Sequence, residues 1–442
     1  MARFTWICTQ CGRVHEPDAV EYLCPHCAPP LAELPAHLAA GLPGVLAAEY
    51  AREAARGFPR GDAGEGSSRG EGAPGLAPGS RPSALARYLD LLPIDDADCL
   101  PPLPLGPTPL LAPARLRRDL DLPRLFLKDD TALPTGSHKD RASALVVARA
   151  RMRGESLIAT ASTGNAATSL AGMCAAAGLQ ALILVPASAP REKLAQMLHY
   201  GARVCAVEGT YDEAFALCLR ASARFGWYNR STAFNPYTIE GKKTVAFEIW
   251  EQLGRQAPAI VVVPVGDGAI LAGVEKGFAD LRRSGRIARE PRLIAVQAEG
   301  SAAIARAWAQ GAAEAAPVEA TTVADSIRVG APANGRWALA ALKRTAGWAV
   351  TVSDEEILSA MRRLAGWTGV YAEPAAAAAL AGLVRLLGDA QRREELRRAE
   401  SIVLLVTGSG LKDAAAAMRA VEPPETILPT LPALERYLQA MR

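Results

Sequence analysis

The chain has 442 residues, of which 50% are hydrophobic, and its formal net charge is +3. This length fits two or three domains with a sizeable core. Because the basic residues form no long block and the apolar stretches are short or alanine-rich, the composition argues against nucleic-acid binding and against a membrane span. The first residues, MARFTWICTQCGR, contain no apolar signal segment, so we expect a cytoplasmic protein.

The first motif along the chain is a set of four cysteines spaced C-x2-C-x12-C-x2-C: Cys8, Cys11, Cys24 and Cys27. In a cytosolic protein, two such turns indicate one tetrahedral zinc ion more often than disulfides. Four protein ligands leave no open coordination position, so the zinc would be structural. We predict a zinc-ribbon-like segment over residues 1–48; the alternative is a ribbon whose metal is weakly held or absent.

A segment rich in glycine, proline, serine and arginine follows at residues 55–83. It has too little apolar surface to offset the entropy lost on ordering. We therefore predict a flexible insert or linker here. The main body would cover 84–442, with a small α/β subdomain at about 140–245 and a large α/β subdomain made of the remainder.

From about residue 105, apolar segments of strand length alternate with helical segments. The strand candidates include SLIATA at 156–161, ALILVPA at 181–187, AIVVVPVG at 259–266 and SIVLLVTGSG at 401–410. This alternation indicates an α/β fold of parallel sheets covered by helices. Ligands of such folds bind at the carboxyl ends of strands, so we expect a site in the strand-to-helix turns.

Three of these turns have the composition of a binding site. STGN at 162–165 combines small hydroxyl residues with a helix start, which suits a carboxylate. The glycine-rich loop at 266–273 brings backbone N–H groups to a helix start, which suits a phosphate. In VTGSGLKD at 406–413, Thr407 can form a hydrogen bond without adding charge. Each turn alone is weak evidence, and STGN by itself is explained equally by an ordinary helix cap.

Lys139 lies in TGSHKDRAS at 135–143 and is one of only eight lysines among 49 basic residues. A lysine near a helix start is most often solvated. The alternative is a lysine that forms a Schiff base, which needs burial and neighbours that lower its pKa. A phosphate loop, an anion turn and a hydroxyl-bearing turn are what pyridoxal phosphate requires of a protein.

Taken together, these segments resemble the pyridoxal-phosphate enzymes of fold type II, and among them the threonine synthase family. GSHKDR resembles the family's lysine motif GSFKDR, ASTGNAATS its substrate-carboxylate loop, and FNPYTIEGKKT a segment of the form N-S-x-N-P-Y-R-x-E-G-x-K-T. DSIRVGAP, EPAAAAALAG and TGSGLKD have close counterparts in the family as well. The resemblance implies two parallel-sheet α/β domains, a lyase acting on a small amino acid, and a homodimer with no nucleic-acid or membrane partner.

The resemblance also implies a role for each site residue. Lys139 would carry the cofactor as a Schiff base and then relay the α-proton of the substrate. Asn165 would bond the ring hydroxyl, and Thr407 would face the pyridine nitrogen. The cofactor phosphate would be held by the backbone of the glycine loop, at Gly266, Asp267, Gly268 and Ala269. The substrate carboxylate would be bound by Ser162, Thr163 and Gly164.

His138 stands where the family usually has phenylalanine. In tryptophan synthase β a histidine also precedes the lysine and lies near the cofactor phosphate. The resemblance therefore allows His138 a contact with the cofactor, with a simple packing variant as an equal alternative.

Part of the family's motif for the substrate phosphate is missing. Threonine synthases bind that phosphate largely with the Asn-Ser and Arg of N-S-x-N-P-Y-R and with an asparagine of the glycine loop. The corresponding positions here are Thr232, Ala233, Thr238 and Ile270, and Ala166 replaces a common threonine. A threonine cannot form the two charged hydrogen bonds of an arginine. We expect weak turnover of O-phosphohomoserine, unless Arg230, Lys242 or Lys243 supplies the missing charge.

Three enzymatic interpretations remain open. They are a threonine synthase with a rearranged phosphate site, a threonine/serine dehydratase, and a replacement enzyme that uses another activated amino acid, as cysteate synthase does. The KDR after Gly-Ser and the TGSGLKD segment favour the first over the second. A non-catalytic homologue is disfavoured because Lys139, Asn165 and Thr407 are all kept.

Overall fold

A computed structural model describes residues 3–30, 33, 42–51 and 83–440. Apart from Ser83, the predicted insert at 55–83 lies outside the described residues. In this part of the chain, no helix is both long and apolar enough to cross a bilayer.

The N-terminal segment forms a small antiparallel sheet. Its strands are β1 (Phe4–Cys8), β2 (Val14–His15) and β3 (Leu46–Tyr50), in the order β2-β1-β3. In β1 and β3, buried residues alternate with partly exposed ones, as expected of strands with one face against a core. The cysteine turns flank this sheet.

The larger sheet of the main body has six strands in the order β12-β11-β10-β13-β5-β4, and only the β4–β5 pair is antiparallel. Its strands are β4 (Leu110–Leu111), β5 (Leu125–Asp129), β10 (Ile260–Pro264), β11 (Arg292–Ala298), β12 (Trp348–Val352) and β13 (Ile402–Val406). Every residue of β10 and β13 is buried, which is why these strands consist of Val, Ile and Leu except for Pro264 at the end of β10.

A second sheet lies within the predicted small subdomain. It has four parallel strands in the order β8-β7-β6-β9. They are β6 (Leu157–Ala161), β7 (Gln180–Pro186), β8 (Arg203–Val207) and β9 (Tyr228–Asn229). With this sheet and the larger one, the predicted α/β fold with two parallel sheets is confirmed.

Fifteen α-helices cover the sheets in the described part of the chain. They are α1 (Ala114–Leu120), α2 (Lys139–Met152), α3 (Asn165–Ala177), α4 (Arg191–His199), α5 (Tyr211–Phe225), α6 (Tyr237–Lys242), α7 (Thr244–Gln252), α8 (Ala269–Arg283), α9 (Ala303–Ala309), α10 (Gly335–Arg344), α11 (Asp354–Thr368), α12 (Pro374–Gly388), α13 (Ala390–Arg398), α14 (Ala414–Met418) and α15 (Leu431–Ala440). Helices α2, α3 and α8 begin in the lysine motif, the STGN turn and the glycine loop, so the fold brings three of the predicted motifs to helix N-termini.

Candidate active site

The predicted site residues meet in one cavity at the carboxyl ends of β10 and β13. The cavity encloses about 420 Å³ of space between protein atoms, part of it open to solvent. Seven of the predicted residues line it: His138, Lys139, Asn165, Gly266, Asp267, Gly268 and Thr407. Ala269 is buried at the start of α8 and donates its backbone N–H to Asp267 Oδ1 at 2.9 Å.

Lys139 is the first residue of α2 and lines the cavity. Its ammonium forms no hydrogen bond or ion pair with any residue that the structure describes. Burial lowers its pKa; the charges of Asp267 and Glu373 oppose this shift and that of Arg230 adds to it. An amine with a lowered pKa and no competing partner is suited to form an imine.

The glycine loop has the shape of a phosphate cradle. A Cβ on Gly266 would lie 2.9 Å from Ile327 Cα, and one on Gly268 would lie 2.8 Å from the carbonyl oxygen of Asn334. Gly268 also has a φ of +89°, which disfavours other residues. The loop lies on the cavity wall at the start of α8, a helix of 15 residues, where the helix dipole favours an anion.

The predicted carboxylate loop borders an adjoining cavity. Thr163 and Gly164 line this second cavity, which shares Asn165, Ser326 and Glu373 with the first. Ser162 closes the turn, because its Oγ accepts the backbone N–H of Gly164 at 3.2 Å. The predicted carboxylate residues therefore lie beside Lys139's cavity at the start of α3.

Glu373 is a site residue to which the sequence assigned no role, although its segment EPAAAAALAG was matched to the family. Both of its carboxylate oxygens accept hydrogen bonds from Asn165 Nδ2 at 3.0 Å, and Nδ2 also donates to Ser326 Oγ at 3.2 Å. Burial raises the pKa of Glu373, while the hydrogen bond from Asn165 and the charge of Lys139 oppose that shift. A carboxyl that holds its proton more tightly than usual thus faces the amine across the cavity.

His138 is buried, and its imidazole is held by Asp130, whose Oδ2 lies 2.6 Å from Nδ1. Nε2 has no hydrogen-bond partner among the described residues. Burial lowers the pKa of His138 to about 4, although the hydrogen bond to Asp130 and its charge oppose this shift. A buried, unpartnered nitrogen on a cavity wall fits a contact with a bound group better than simple packing.

A buried ionic network, absent from the predicted site, fixes His138 and the start of α2. Arg141 donates to both oxygens of Asp130 at 2.8 Å, and Lys128 Nζ lies 2.6 Å from Glu248. Burial opposes the charge of Arg141, but Asp130 and Glu248 hold its pKa well above the usual range. Two cations and two anions compensate each other here, as buried charges require.

The four predicted metal ligands also come together. The sulfur atoms of Cys8, Cys11, Cys24 and Cys27 all lie within 4.8 Å of one another. His15 Nε2 lies 3.3 Å from Cys24 Sγ. Four thiols at this spacing fit one tetrahedral zinc ion.

Comparison with known proteins agrees with this geometry. The family model described as pyridoxal-phosphate dependent enzyme matches residues 102–408. The chain belongs to this family. A threonine synthase of Methanocaldococcus jannaschii is 37% identical over 357 residues, 80% of this chain and 87% of the relative. A threonine synthase of Mycobacterium tuberculosis is 34% identical over 76% of this chain and 91% of its own length.

Solved structures of this family share the fold. Threonine deaminase isoform 2 from Solanum lycopersicum has a TM-score of 0.63 and 23% identity, covering 79% of this chain and 98% of its own. The threonine deaminase of T.th. has a TM-score of 0.58 and 28% identity, covering 68% and 92%. The chain is thus a pyridoxal-phosphate-dependent enzyme of the threonine synthase-like group, and the predicted recognition and fold type are confirmed.

The cavity fits the family's cofactor. The glycine cradle admits only backbone at Gly266 and Gly268, and the unpartnered atoms of Lys139 and His138 face the same space. The cofactor would thus be held by Lys139, the glycine loop, Asn165 and Thr407.

Proposed function

We propose that this enzyme eliminates or replaces the activated side-chain group of an amino acid, as threonine synthases do, with an altered site for the substrate phosphate. The observation that carries the proposal is the free Lys139 amine at the start of α2, facing the glycine loop, Asn165 and Thr407 in one cavity. Pyridoxal phosphate supplies an electron sink for the amino acid when it is bound.

The residues of the chain divide the remaining work. Lys139 takes a proton from the α-carbon of the substrate and can return it, because burial keeps its pKa below the ordinary value. Ser162, Thr163 and Gly164 bind the substrate carboxylate at the start of α3. Glu373 orients Asn165, because its two oxygens fix the Asn165 amide.

The replaced phosphate residues support the altered site. Thr238 is fully buried and its Oγ1 donates to the carbonyl oxygen of Asn235 at 2.7 Å, so its only donor is engaged. Ile270 lines the main cavity with an apolar side chain. Neither residue offers a charge to a phosphate.

A dehydratase is the second candidate, because apolar Ile270 in the cavity suits a substrate that carries no phosphate. The similarity to the T.th. threonine deaminase points in the same direction. Replacement chemistry on another activated amino acid is compatible with the same cavity.

A substrate panel tests the proposal: O-phosphohomoserine, O-phosphoserine, threonine and serine, with products identified by mass spectrometry. We expect turnover of at least one phosphorylated substrate. Turnover confined to threonine and serine would favour the dehydratase, and no turnover at all would favour a non-catalytic homologue.

Lys139→Ala provides the control for this panel. We expect loss of turnover and of borohydride-fixed cofactor, because the proposed attachment point of the cofactor is removed. The circular dichroism spectrum should not change. Lys343→Ala, an exposed lysine on α10, should behave as the wild type. A full yield of fixed cofactor in Lys139→Ala would show that another lysine carries it.

We also propose that the four cysteines hold one structural zinc ion. The spacing of their sulfur atoms supports this, and four thiolates leave no coordination position for a substrate.

A further inference from the structure

Two fully buried cations near the active site have no anionic partner among the residues that the structure describes. Arg230 follows β9; its Nη1 donates to Thr232 Oγ1 at 2.7 Å and its Nε to Ser143 Oγ at 3.2 Å, while Nη2 has no partner. Within the described ranges, Lys242 Nζ donates only to the carbonyl oxygen of Thr238, at 3.1 Å. No carboxylate in the described part of the chain forms an ion pair with either residue.

Apart from Lys139, the other buried cations in the described main body are paired. Lys243, the next residue, forms ion pairs with Glu240 and Asp280, and Lys128 pairs with Glu248. Arg141 pairs with Asp130 and Glu248. An uncompensated buried charge is destabilising. A bound anion from outside the chain would therefore stabilise Arg230 and Lys242.

The two cations lie close enough to Lys139 for their charges to interact with it. Ser143, which accepts from Arg230, is one helical turn after Lys139 on α2. The backbone N–H of Arg230 donates to Ala159 on β6, the strand that ends at the carboxylate loop. Lys242 ends α6, which packs against α8: a Cβ on Gly273 would lie 2.6 Å from Lys242 Cβ.

The charged groups that act on Arg230 and Lys242 include Lys139, Asp267 and Asp140. Burial, then the charges of Arg230 and Lys139, lower the pKa of Lys242, and only Asp267 opposes them. The Asp267 carboxylate already accepts the backbone N–H of Ala269. Of the two cations, Asp140 acts on Arg230 alone, and burial raises the pKa of Asp140. Neither carboxylate forms an ion pair with Arg230 or Lys242 in the described part of the chain, so both cations lack a direct anionic partner.

We propose that Arg230 and Lys242 form a subsite for a doubly charged tetrahedral group, a phosphate, on the side chain of the substrate. The free Nη2 of Arg230 and the remaining N–H groups of Lys242 are the donors. The inference rests on the proposed function and selects its substrate class, since the hydroxyl of serine or threonine would leave both cations unmatched.

This subsite supplies the positive charge that is lost where Thr238 replaces the arginine of the family's motif. The Lys242 ammonium lies at the carbonyl of Thr238, the position at which the family has arginine, so the positive charge has moved by one helical turn. The expectation of weak O-phosphohomoserine turnover rests on the lost arginine alone. With Arg230 and Lys242 in place, the enzyme binds the phosphorylated substrate.

The phosphate of the cofactor is the other dianion near these cations. It is assigned to the glycine loop at the start of α8, whereas Arg230 extends from β9, beside the strand that carries the carboxylate loop. The test below separates the two sources.

The test is a spectral titration of the holoenzyme with O-phospho-L-homoserine and with L-homoserine, its counterpart without phosphate. Wild type, Arg230→Met, Lys242→Met and the exposed control Lys343→Met are compared. We expect each of the first two variants to raise Kd for O-phosphohomoserine by about 10-fold or more, the loss of one charged hydrogen bond. Kd for homoserine should change by less than about 3-fold, and the control should match the wild type.

An equal effect on both ligands, or none, overturns the subsite. Weaker affinity for pyridoxal phosphate with unchanged affinity for pyridoxal would assign the cations to the cofactor and overturn it as well. Arg230→Lys keeps the charge and should keep the preference for the phosphorylated ligand. If Arg230→Met does not fold, the preference is tested by Arg230→Lys and Lys242→Met.

The titration measures binding and the substrate panel measures turnover, so the two proposals can fail independently. If O-phosphohomoserine binds through Arg230 and Lys242 but is not converted, the proposed function fails and the subsite stands. If no amino acid changes the spectrum, calorimetric titration with inorganic phosphate decides the subsite: weaker binding in both variants supports it, and equal binding refutes it.

Discussion

Glu373 immediately precedes α12 and accepts hydrogen bonds from Asn165, a residue 208 positions away in sequence. Glu373 is 3% exposed, and a Cβ on Gly408 would lie 2.5 Å from its Oε1, so the chain packs closely around the carboxyl group. A buried carboxyl beside Lys139 ties the charge state of the cavity to pH.

This arrangement predicts a pH-dependent stability that Glu373→Gln removes. Burial raises the folded-state pKa of Glu373 above its ordinary 4.5, so the folded protein binds this proton more tightly than the unfolded chain. The resulting stability is complete below pH 4.5 and is lost as the pH rises through the folded-state pKa. We expect the Tm of Glu373→Gln apoprotein to fall less with rising pH than that of the wild type.

The exposed Glu422→Gln serves as the control, because Glu422 lies on the surface. Scanning calorimetry at constant ionic strength measures both series. Parallel Tm curves for Glu373→Gln and the wild type would contradict the assignment.

At the scale of elements, the close contact between α2 and α6 positions Lys139. Gly241 of α6 lies directly against the backbone of α2, where an added Cβ would be 2.1 Å from the carbonyl oxygen of Arg141 and 2.8 Å from Ala142 Cα. The neighbours are backbone atoms, which cannot rotate away. The contact therefore fixes the separation of the helix that carries Lys139 and the helix that carries Lys242.

Gly241→Ala should force α2 and α6 apart. We expect a loss of about 1–3 kcal/mol in the free energy of unfolding, typical of overpacking, together with reduced cofactor affinity. Gly366→Ala on α11 is the matched control: nothing lies within 4 Å of its added Cβ, so it should stabilise by about 0.5–1 kcal/mol. Denaturant titrations compare the two variants, and equal effects would contradict the packing argument.

At the scale of the whole molecule, the N-terminal segment is fastened to the main body. Tyr50 Oη donates to Glu240 Oε2 at 2.8 Å, and the rings of Trp6 and Tyr237 meet edge to face at 5.3 Å. Glu240 also pairs with Lys243. The N-terminal sheet thus packs against α6. In the described part of the chain, it contributes no residue to the main cavity.

We predict about one zinc ion per chain, lost in Cys24→Ser and kept in Cys205→Ser, which changes an exposed cysteine outside the cluster. Chelation should loosen the N-terminal sheet, since four thiols would lose the ion that joins them, and spare the cofactor absorbance. Elemental analysis and proteolysis check this. Equal zinc contents in the two variants, or four freely titratable thiols in the native protein, would contradict it.

The parts of the fold and of the site that depend on short segments could be predicted from the sequence. The uninterrupted apolar runs of β10 and β13 identify buried parallel strands, because a strand covered on both faces needs no polar residues. The turns before α3 and α8 predicted the carboxylate loop and the glycine cradle. Lys139 was identified by its motif, and the cavity places it against the other predicted residues.

Charge compensation, in contrast, depends on tertiary structure. Lys242 and Lys243 are adjacent lysines in one motif, yet Lys243 is paired with Glu240 and Asp280 while Lys242 has no acidic partner among the described residues. Which buried cation is neutralised is decided by side chains that approach from other helices. The apolar spacing of the sequence thus predicted the α/β fold, and the resemblance of its motifs to the family indicated the cofactor and Lys139. Only the tertiary structure decided which buried charges are paired, because that depends on contacts between residues far apart in the chain.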